Sequence, residues 1–347
     1  MTRTLALLES PAQILNLLEW IHSDGSADPR EVTAAVILPR AAAAREQLRA
    51  MAALARAEGP TVSLYSPRDG MRELARCGAV LSARVCRAAT LVLGDPFSQL
   101  AQSLLPLTRA RRVVVVDDGT ATIEFVARLA GRRPLVRWHS TLKPPGRAQR
   151  ATRWLAARGE AGGLEVYTSL DVQAPPWMRV TVNHYGWAVS RFGPPEIIDT
   201  VDLLGTSLVE TGVVSRAAYL EGVAGLVAEH GVTRYLAHRR ESPAKLAALV
   251  EATGVEVVHP ELPLELHART GPTARTIISF PSTMVHTLPL ILAGTGVRVM
   301  IREIGPDWLT ATAGDHAARF LAEVTGSAKA RHGLATVPPT TATGEPK

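Results

Sequence analysis

An α/β protein made of two Rossmann-like domains is the fold class the sequence predicts, on three observations. Short aliphatic and β-branched runs alternate with segments of helical length, the spacing of parallel βαβ units. The series occurs twice, over Thr4–Ala130 and over Ile197–Ile301, separated by the Pro-, Gly- and aromatic-rich stretch Gln173–Pro195 with no helical period. A chain of 347 residues, 46% hydrophobic and 20% charged, fits two globular domains with cores of ordinary size.

In the first series, Thr4–Leu8 reads as a strand and Pro11–Ile21 as a helix, with Ser10 at the N-cap and Pro11 at the first helical position. Strands follow at Val32–Leu38, Thr61–Tyr65, Thr90–Gly94 and around Val113, with helices at Ala41–Ala57, Arg72–Arg84, Ser98–Leu105 and Thr122–Ala130. The second series has strands at Ile197–Leu204, Thr233–Ala237, Val255–Val258, Thr276–Ser279 and Val297–Ile301. Its helices are Ser215–Glu229, Pro243–Ala252 and a segment after Ser282. The expected domains are 1–180 and 196–331, with a hinge inside 173–195. The Pro-, Thr- and Gly-rich stretch 332–347 is expected to be a disordered tail.

Composition narrows the function. Cys77 and Cys86 form neither a metal cluster nor a disulfide framework, as in the reducing cytoplasm. No stretch approaches the roughly 20 apolar residues that span a bilayer, and Leu5–Leu8 is too short for a signal-peptide core. A cytoplasmic protein is expected. The net charge of +6 favours anionic partners, but with 5% aromatic residues and no basic run interleaved with stacking rings, nucleic acid is not among the expected ones. No Gly-x-Gly-x-x-Gly turn or P-loop follows any strand, so the dinucleotide cradle is missing. No His, Cys, Asp or Glu cluster has metal-ligand spacing.

The candidate site residues fall at strand ends and helix starts, where an open α/β sheet gathers its ligand contacts. Asp117, Asp118 and Gly119 close the run Val113–Val116. One carboxylate of such a pair can act as a base while the other holds the loop, although turn-forming aspartates alone would read the same way. His238, followed by Arg239, Arg240 and Glu241, suits a phosphate or a solvated basic loop. Ser282 and Thr283 start an apolar helix, where free N–H groups and hydroxyls either bind phosphate or cap the helix itself. Glu265, placed on a short loop 263–266, could hold ribose hydroxyls. His259–Pro260 is set aside as a decoy, with no helix expected between it and Glu265, and His286 reads as a core histidine. The segment 139–158 carries Lys143, Arg147, Arg150, Arg153 and Arg158 beside Trp154. It reads as a solvated helix face, or as a site for a polyanionic acceptor or a membrane surface.

Two Rossmann-like domains facing one another across a cleft form the GT-B arrangement of many sugar-nucleotide transferases, an architecture that NAD enzymes and binding proteins also use. At this level the chain resembles the bacterial sialyltransferases and polysialyltransferases, which share an acidic pair with Gly, a His-Pro, and a Ser-Ser or Ser-Thr. Here these are Asp117-Asp118-Gly119, His238 and Ser282-Thr283, in the same order, with Glu265 between the last two. The stretch Leu8–Asn16 with Glu19, and Leu203–Glu210 with Gly205 and Thr206, are similar to the group as well. The resemblance implies an inverting GT-B enzyme that uses a CMP-activated nonulosonic acid, such as CMP-sialic acid, and needs no metal or other cofactor. Asp117 would be the base for an acceptor hydroxyl on a glycan or glycolipid. His238 would stabilise or protonate the departing CMP phosphate, Ser282 and Thr283 would bond its oxygens, Glu265 would hold the ribose, and Asp118 and Gly119 would shape the loop. The first domain is then the acceptor side and the second the donor side. A place in surface polysaccharide biosynthesis follows, with a glycolipid acceptor putting the enzyme at the inner face of the plasma membrane. Arg239 stands where the group has Pro, so either its guanidinium joins the donor phosphate site or His238 is displaced. The alternatives are a GT-B transferase for another nucleotide sugar and a degenerate nucleotide- or glycan-binding protein.

Overall fold

A computed structural model describes residues 4–23, 27–137, 144–311 and 313–337. The chain divides into two units, Met1–Trp187 and Ala188–Lys347. The first holds strands β1 (Thr4–Leu8), β2 (Val32–Ile37), β3 (Thr61–Tyr65), β4 (Thr90–Leu93), β5 (Arg112–Val116), β6 (Leu164–Thr168) and β7 (Arg179–Val182). Its helices are α1 (Pro11–His22), α2 (Ala42–Ala57), α3 (Met71–Arg87), α4 (Gln99–Leu104), α5 (Thr120–Ala130) and α6 (Gly146–Glu160). The helix α7 (Gly186–Phe192) carries the point of division.

All seven strands pair in parallel, in the order β3-β2-β1-β4-β5-β6-β7. The chain builds outward from β1 to β3 and then returns to β4, so the topological switch lies where β1 meets β4. Val113–Val116 are at most 1% exposed. Burying each such side chain contributes about 1.5–3 kcal/mol before the entropy of ordering the strand is subtracted. Cys77, Leu81 and Val85 of α3, Leu104 of α4, Phe125 and Leu129 of α5, and Ala151 and Leu155 of α6 close one core cluster with residues from the strands.

The second unit holds β8 (Ile197–Leu204), β9 (Val232–Leu236), β10 (Glu256–Val258), β11 (Thr273–Ser279), β12 (Arg298–Arg302) and β13 (Ala335–Val337). Its helices are α8 (Arg216–His230), α9 (Pro243–Thr253), α10 (Leu264–Thr270), α11 (Met284–Ile291) and α12 (Gly314–His332). The strands, again all parallel, run β10-β9-β8-β11-β12-β13, with the switch where β8 meets β11. Tyr219, Phe280 and Trp308 form an aromatic cluster, with ring centroids 5.3 to 6.2 Å apart, beneath the end of β11. Trp308 fits there because Gly222 of α8 has no side chain: a Cβ would lie 1.9 Å from Trp308 Cζ2. Gly222→Ala is expected to overpack this cluster and cost about 1–3 kcal/mol, read as a lower midpoint in urea unfolding. An unchanged midpoint would place the Trp308 ring elsewhere.

Several boundaries differ from expectation. Residues 179–182 form β7 on the first sheet, so that unit extends past 180 and the stretch 173–195 contains both a strand and α7. The expected tail begins inside α12, and Ala335–Val337 pair with β12; residues 338–347 lie outside the described residues. The loop expected at 263–266 is instead the start of α10, with Pro263 at its N-cap. A helix therefore does follow His259–Pro260, contrary to the reason given for setting that pair aside. Among the described residues no helix is long and apolar enough to cross a membrane.

Candidate active site

In the first unit the acidic loop follows β5, one strand from the switch. Asp117 is 1% exposed and both of its oxygens are occupied. Oδ1 accepts from Gly119 N at 2.9 Å and Thr122 Oγ1 at 2.7 Å. Oδ2 accepts from Thr168 Oγ1 at 2.7 Å, Ser169 N at 3.2 Å and Ser169 Oγ at 3.4 Å. The Asp117 carbonyl accepts from Asn16 Nδ2 at 3.0 Å, and Asn16 Oδ1 accepts from Asn183 Nδ2 at 2.8 Å. Burial pushes the carboxyl pKa up, and the hydrogen bonds from Thr122, Thr168, Ser169 and Gly119 oppose that shift. Gly119, at φ 70° and ψ −143°, occupies backbone space essentially reserved for glycine, which lets its N–H turn back onto Asp117 as α5 begins.

Asp118 sits differently. Its side chain is 19% exposed, and Oδ1 accepts from Ser10 Oγ at 3.0 Å. Arg137 lies 3.6 Å from Asp118 and 3.0 Å from Asp95, which follows β4, while its guanidinium rests over Phe97 at 5.2 Å. Burial and then the Asp95 charge push the Asp118 carboxyl up to about 6, against opposing contributions from Gln13, Arg137 and Ser10. Asp117 is a loop anchor with no free lone-pair direction toward solvent, and Asp118 is the more accessible carboxylate, one strand from the switch. The physical reason is Thr168–Ser169 at the end of β6, which draws the first aspartate inward. Gly94 also matters, because the Gln13 side chain crosses it where a Cβ would lie 2.2 Å from Gln13 Oε1.

In the second unit, Gly205 and Thr206 follow β8, His238 follows β9, and Ser282–Thr283 follow β11, so these residues gather at the C-terminal ends of the strands at and beside the switch. The turn 238–241 is closed by Glu241, whose backbone N donates to the His238 carbonyl at 2.9 Å and whose Oε2 accepts from His238 N at 2.5 Å. His238 Nδ1 accepts from Arg240 N at 3.2 Å, so the neutral ring carries its proton on Nε2 and presents a donor. Burial, then Arg239, Arg240 and Lys245, push the imidazole down to about 4, and it is neutral at pH 7. Arg239 is exposed at the tip of this turn.

Behind the turn lies a polar cluster that the sequence reading missed. Lys245 of α9, 1% exposed, is 2.7 Å from Glu241 Oε1 and 3.1 Å from Glu210 Oε2, and donates to the Thr206 carbonyl at 2.9 Å. Its ammonium sits 4.5 Å above the Tyr219 ring. Tyr235 donates to Glu241 Oε1 at 2.5 Å, and the Tyr219 and Tyr235 hydroxyls are 2.6 Å apart. Gly205 leaves room for this, since a Cβ would lie 2.2 Å from Glu241 Oε2. One buried cation thereby ties together the loops after β8 and β9. A legible signal was the Glu241–Lys245 spacing of four with Leu249 four further on, which puts a lysine on the apolar side of α9.

Thr283 is the N-cap of α11 but makes no side-chain capping bond, while Ser282 Oγ accepts from Met284 N at 3.3 Å. Glu265 is in the first turn of α10, 4% exposed, and accepts from Thr287 Oγ1 at 3.1 Å. It is a buried helix carboxylate rather than the loop residue expected. His286 is buried in α11, 3.3 Å from Ser327 Oγ. Among the described residues no group of three or more His, Cys, Asp or Glu is placed to hold a metal ion.

No protein-family model matches the chain, and no curated protein matches its sequence. Solved structures do. The α/β-galactoside α-2,3-sialyltransferase of the luminous marine bacterium Photobacterium phosphoreum is 7% identical, with 96% of this chain and 97% of that one covered at a TM-score of 0.50. The UDP-GlcNAc 2-epimerase of Neisseria meningitidis, bound to UDP-GlcNAc, is 9% identical, covering 86% and 82% at a TM-score of 0.50. The class defined is the fold these proteins share: two parallel-sheet α/β domains of the GT-B type.

Proposed function

We propose that the protein is an inverting glycosyltransferase that moves a sialic-acid-like nonulosonic acid from a CMP-activated donor to a hydroxyl of a glycan or glycolipid. The observation that carries the reading is that each unit sets a poised group at the C-terminal end of a strand next to its sheet switch: the Asp118 carboxylate, with its pKa near 6, after β5 in the first unit, and the neutral His238 imidazole after β9 in the second. Asp118, rather than Asp117, takes the acceptor proton. Its pKa lies close enough to neutral pH for it to be ionised in the ground state and still basic enough to accept.

His238 Nε2–H donates to the departing phosphate. An arriving anion raises the imidazole pKa and strengthens that bond, so positive charge develops when negative charge appears. The Ser282 and Thr283 hydroxyls and the first N–H groups of α11 supply further donors, and Arg239 adds an exposed positive charge. Gly205 and Thr206 frame the same site. Glu265, held by Thr287, lies deeper than a direct ribose ligand and orients the start of α11. Because these groups stabilise the leaving phosphate without a divalent cation, transfer is expected to survive EDTA.

Calorimetric titration with CMP, UMP and UDP, repeated in EDTA, tests the reading. CMP-selective, metal-independent binding is expected, followed by release of CMP from a CMP-activated donor. Selective UDP binding would instead favour the alternative suggested by the Neisseria neighbour with its bound UDP-GlcNAc. Nucleotide binding without turnover of any donor would leave a degenerate binding protein, a reading that Arg239 in place of Pro favours. His238→Ala is expected to lower kcat about 10²–10³-fold, the usual effect of removing one donor from developing charge. Unchanged turnover would remove His238 from the mechanism.

A further inference from the structure

The helical layer formed by α3, α4, the turn Leu105–Leu107 and α6 has an outer surface that the transfer reading does not use. On α3 the buried stripe is Cys77, Leu81 and Val85. The opposite face carries Arg72, Arg76 and Arg87 among alanines and no acid; Glu73 is half-buried and paired with Arg76 at 3.1 Å. Large apolar side chains are exposed beside these arginines: Met71, the first residue of the helix, is 80% exposed, Val80 37% and Leu107 43%. Leu107 belongs to the same surface as α3, since Cys86 Sγ donates to its carbonyl at 3.3 Å. Arg109, Arg111, Arg150 and Arg153 are exposed on the following loop and on α6. None of these four, nor Arg72 or Arg87, is in an ion pair among the described residues.

We propose that this surface seats the first unit on an anionic lipid bilayer. Unpaired arginines meet headgroup phosphates, while Met71, Val80 and Leu107 reach the boundary with the acyl chains. A soluble polyanion, whether glycan or nucleic acid, would satisfy the arginines but leave the three apolar side chains in water. Segment 139–158 supplies only part of the surface. On α6 the Arg150 and Arg153 side chains face out, but Trp154 packs on the core with Arg158 over its ring at 5.1 Å. Residues 139–143 lie outside the described residues. The apolar component comes from α3 and the turn after α4, which a search for basic runs does not find. The inference stands apart from the transfer reading, because it needs neither donor nor turnover.

Co-sedimentation of the full chain with vesicles tests it, using phosphatidylglycerol mixed with phosphatidylcholine against phosphatidylcholine alone. The expected result is preferential binding to the anionic vesicles, weakened by salt. Arg72→Gln/Arg76→Gln/Arg87→Gln should lower the affinity on the order of a hundredfold. Met71→Ser/Leu107→Ser should lower it about tenfold while leaving binding to soluble dextran sulfate unchanged. Equal binding to neutral and anionic vesicles would overturn the proposal. So would full vesicle binding by Met71→Ser/Leu107→Ser, which would make the face a site for soluble polyanions. Circular dichroism of these surface variants separates lost docking from lost fold.

Discussion

Asp118→Asn is expected to abolish transfer, lowering kcat about 10²–10⁴-fold, while nucleotide binding and the fold persist. The amide keeps the size of the carboxylate and can still accept from Ser10 Oγ through its oxygen. What it loses is the proton affinity. In the unmodified protein kcat/KM should climb as pH rises through about 6, where Asp118 ionises, and then level off. Replacing Asp95 by Asn should move that limb to lower pH, because the Asp95 charge is among the causes of the raised pKa. Stability should follow the opposite course. The folded pKa lies above the ordinary 3.8, so the folded state binds more protons than the unfolded one between 3.8 and about 6. The stabilisation is fully present below 3.8 and lost as pH rises through about 6. Asp118→Asn should therefore match or exceed the native melting temperature at pH 7.5, the usual exchange of activity for stability at a poised group. Asp117→Asn should do the reverse. It puts an amide where five donors converge, and is expected to lower stability by about 3 kcal/mol or more through unsatisfied buried groups. If Asp117→Asn folds normally and is inactive while Asp118→Asn is active, the roles assigned here are exchanged.

The surroundings of the two aspartates show where sequence reading stops. Strands β1, β3 and β8 were legible at their true limits: β1 is a fully buried aliphatic run, and β3 and β8 keep enough β-branched and aliphatic residues to read as strands despite their polar positions. The Ser10 cap before Pro11 marked its helix start equally well. β6 was missed because Leu164–Thr168 carries a glutamate in mid-strand. Glu165 is tolerated there through Arg112 at 2.8 Å and Thr181 Oγ1 at 2.9 Å, partners on neighbouring strands that no local pattern reveals. With β6 unplaced, Thr168 and Ser169 could not be recognised as the donors that turn Asp117 inward. One missed strand thus hid the donors around one carboxylate. β7, a strand of four residues, was lost for the related reason that tertiary pairing rather than periodicity defines it.

Lys245→Met is expected to be the most destabilising substitution in the second unit, costing about 3–5 kcal/mol. The methionine fills much the same volume, so the loss is not a cavity. It is the removal of the cation from Glu241, whose side chain is fully buried, and from Glu210, together with the bond to the Thr206 carbonyl. Burial already pushes the Glu241 pKa up, and Lys245 is the chief influence holding it down. Without the lysine Glu241 should take up a proton in the folded state. Its folded pKa then stands further above 4.5, so its contribution is present at low pH and lost as pH rises. The variant should accordingly unfold at a lower urea concentration at pH 8 than at pH 5, by a wider margin than the native chain. Glu241→Gln added to Lys245→Met should restore part of the loss, since the uncompensated buried charge is then gone. The double variant tests the site as well as the fold. Glu241 closes the turn that presents His238, and Lys245 ties that turn to Thr206, so a refolded double variant should bind nucleotide more weakly than the native chain. Equal urea midpoints at pH 5 and pH 8 for Lys245→Met would mean that Glu241 finds another partner, and that the cluster is not the hinge-pin of the two loops.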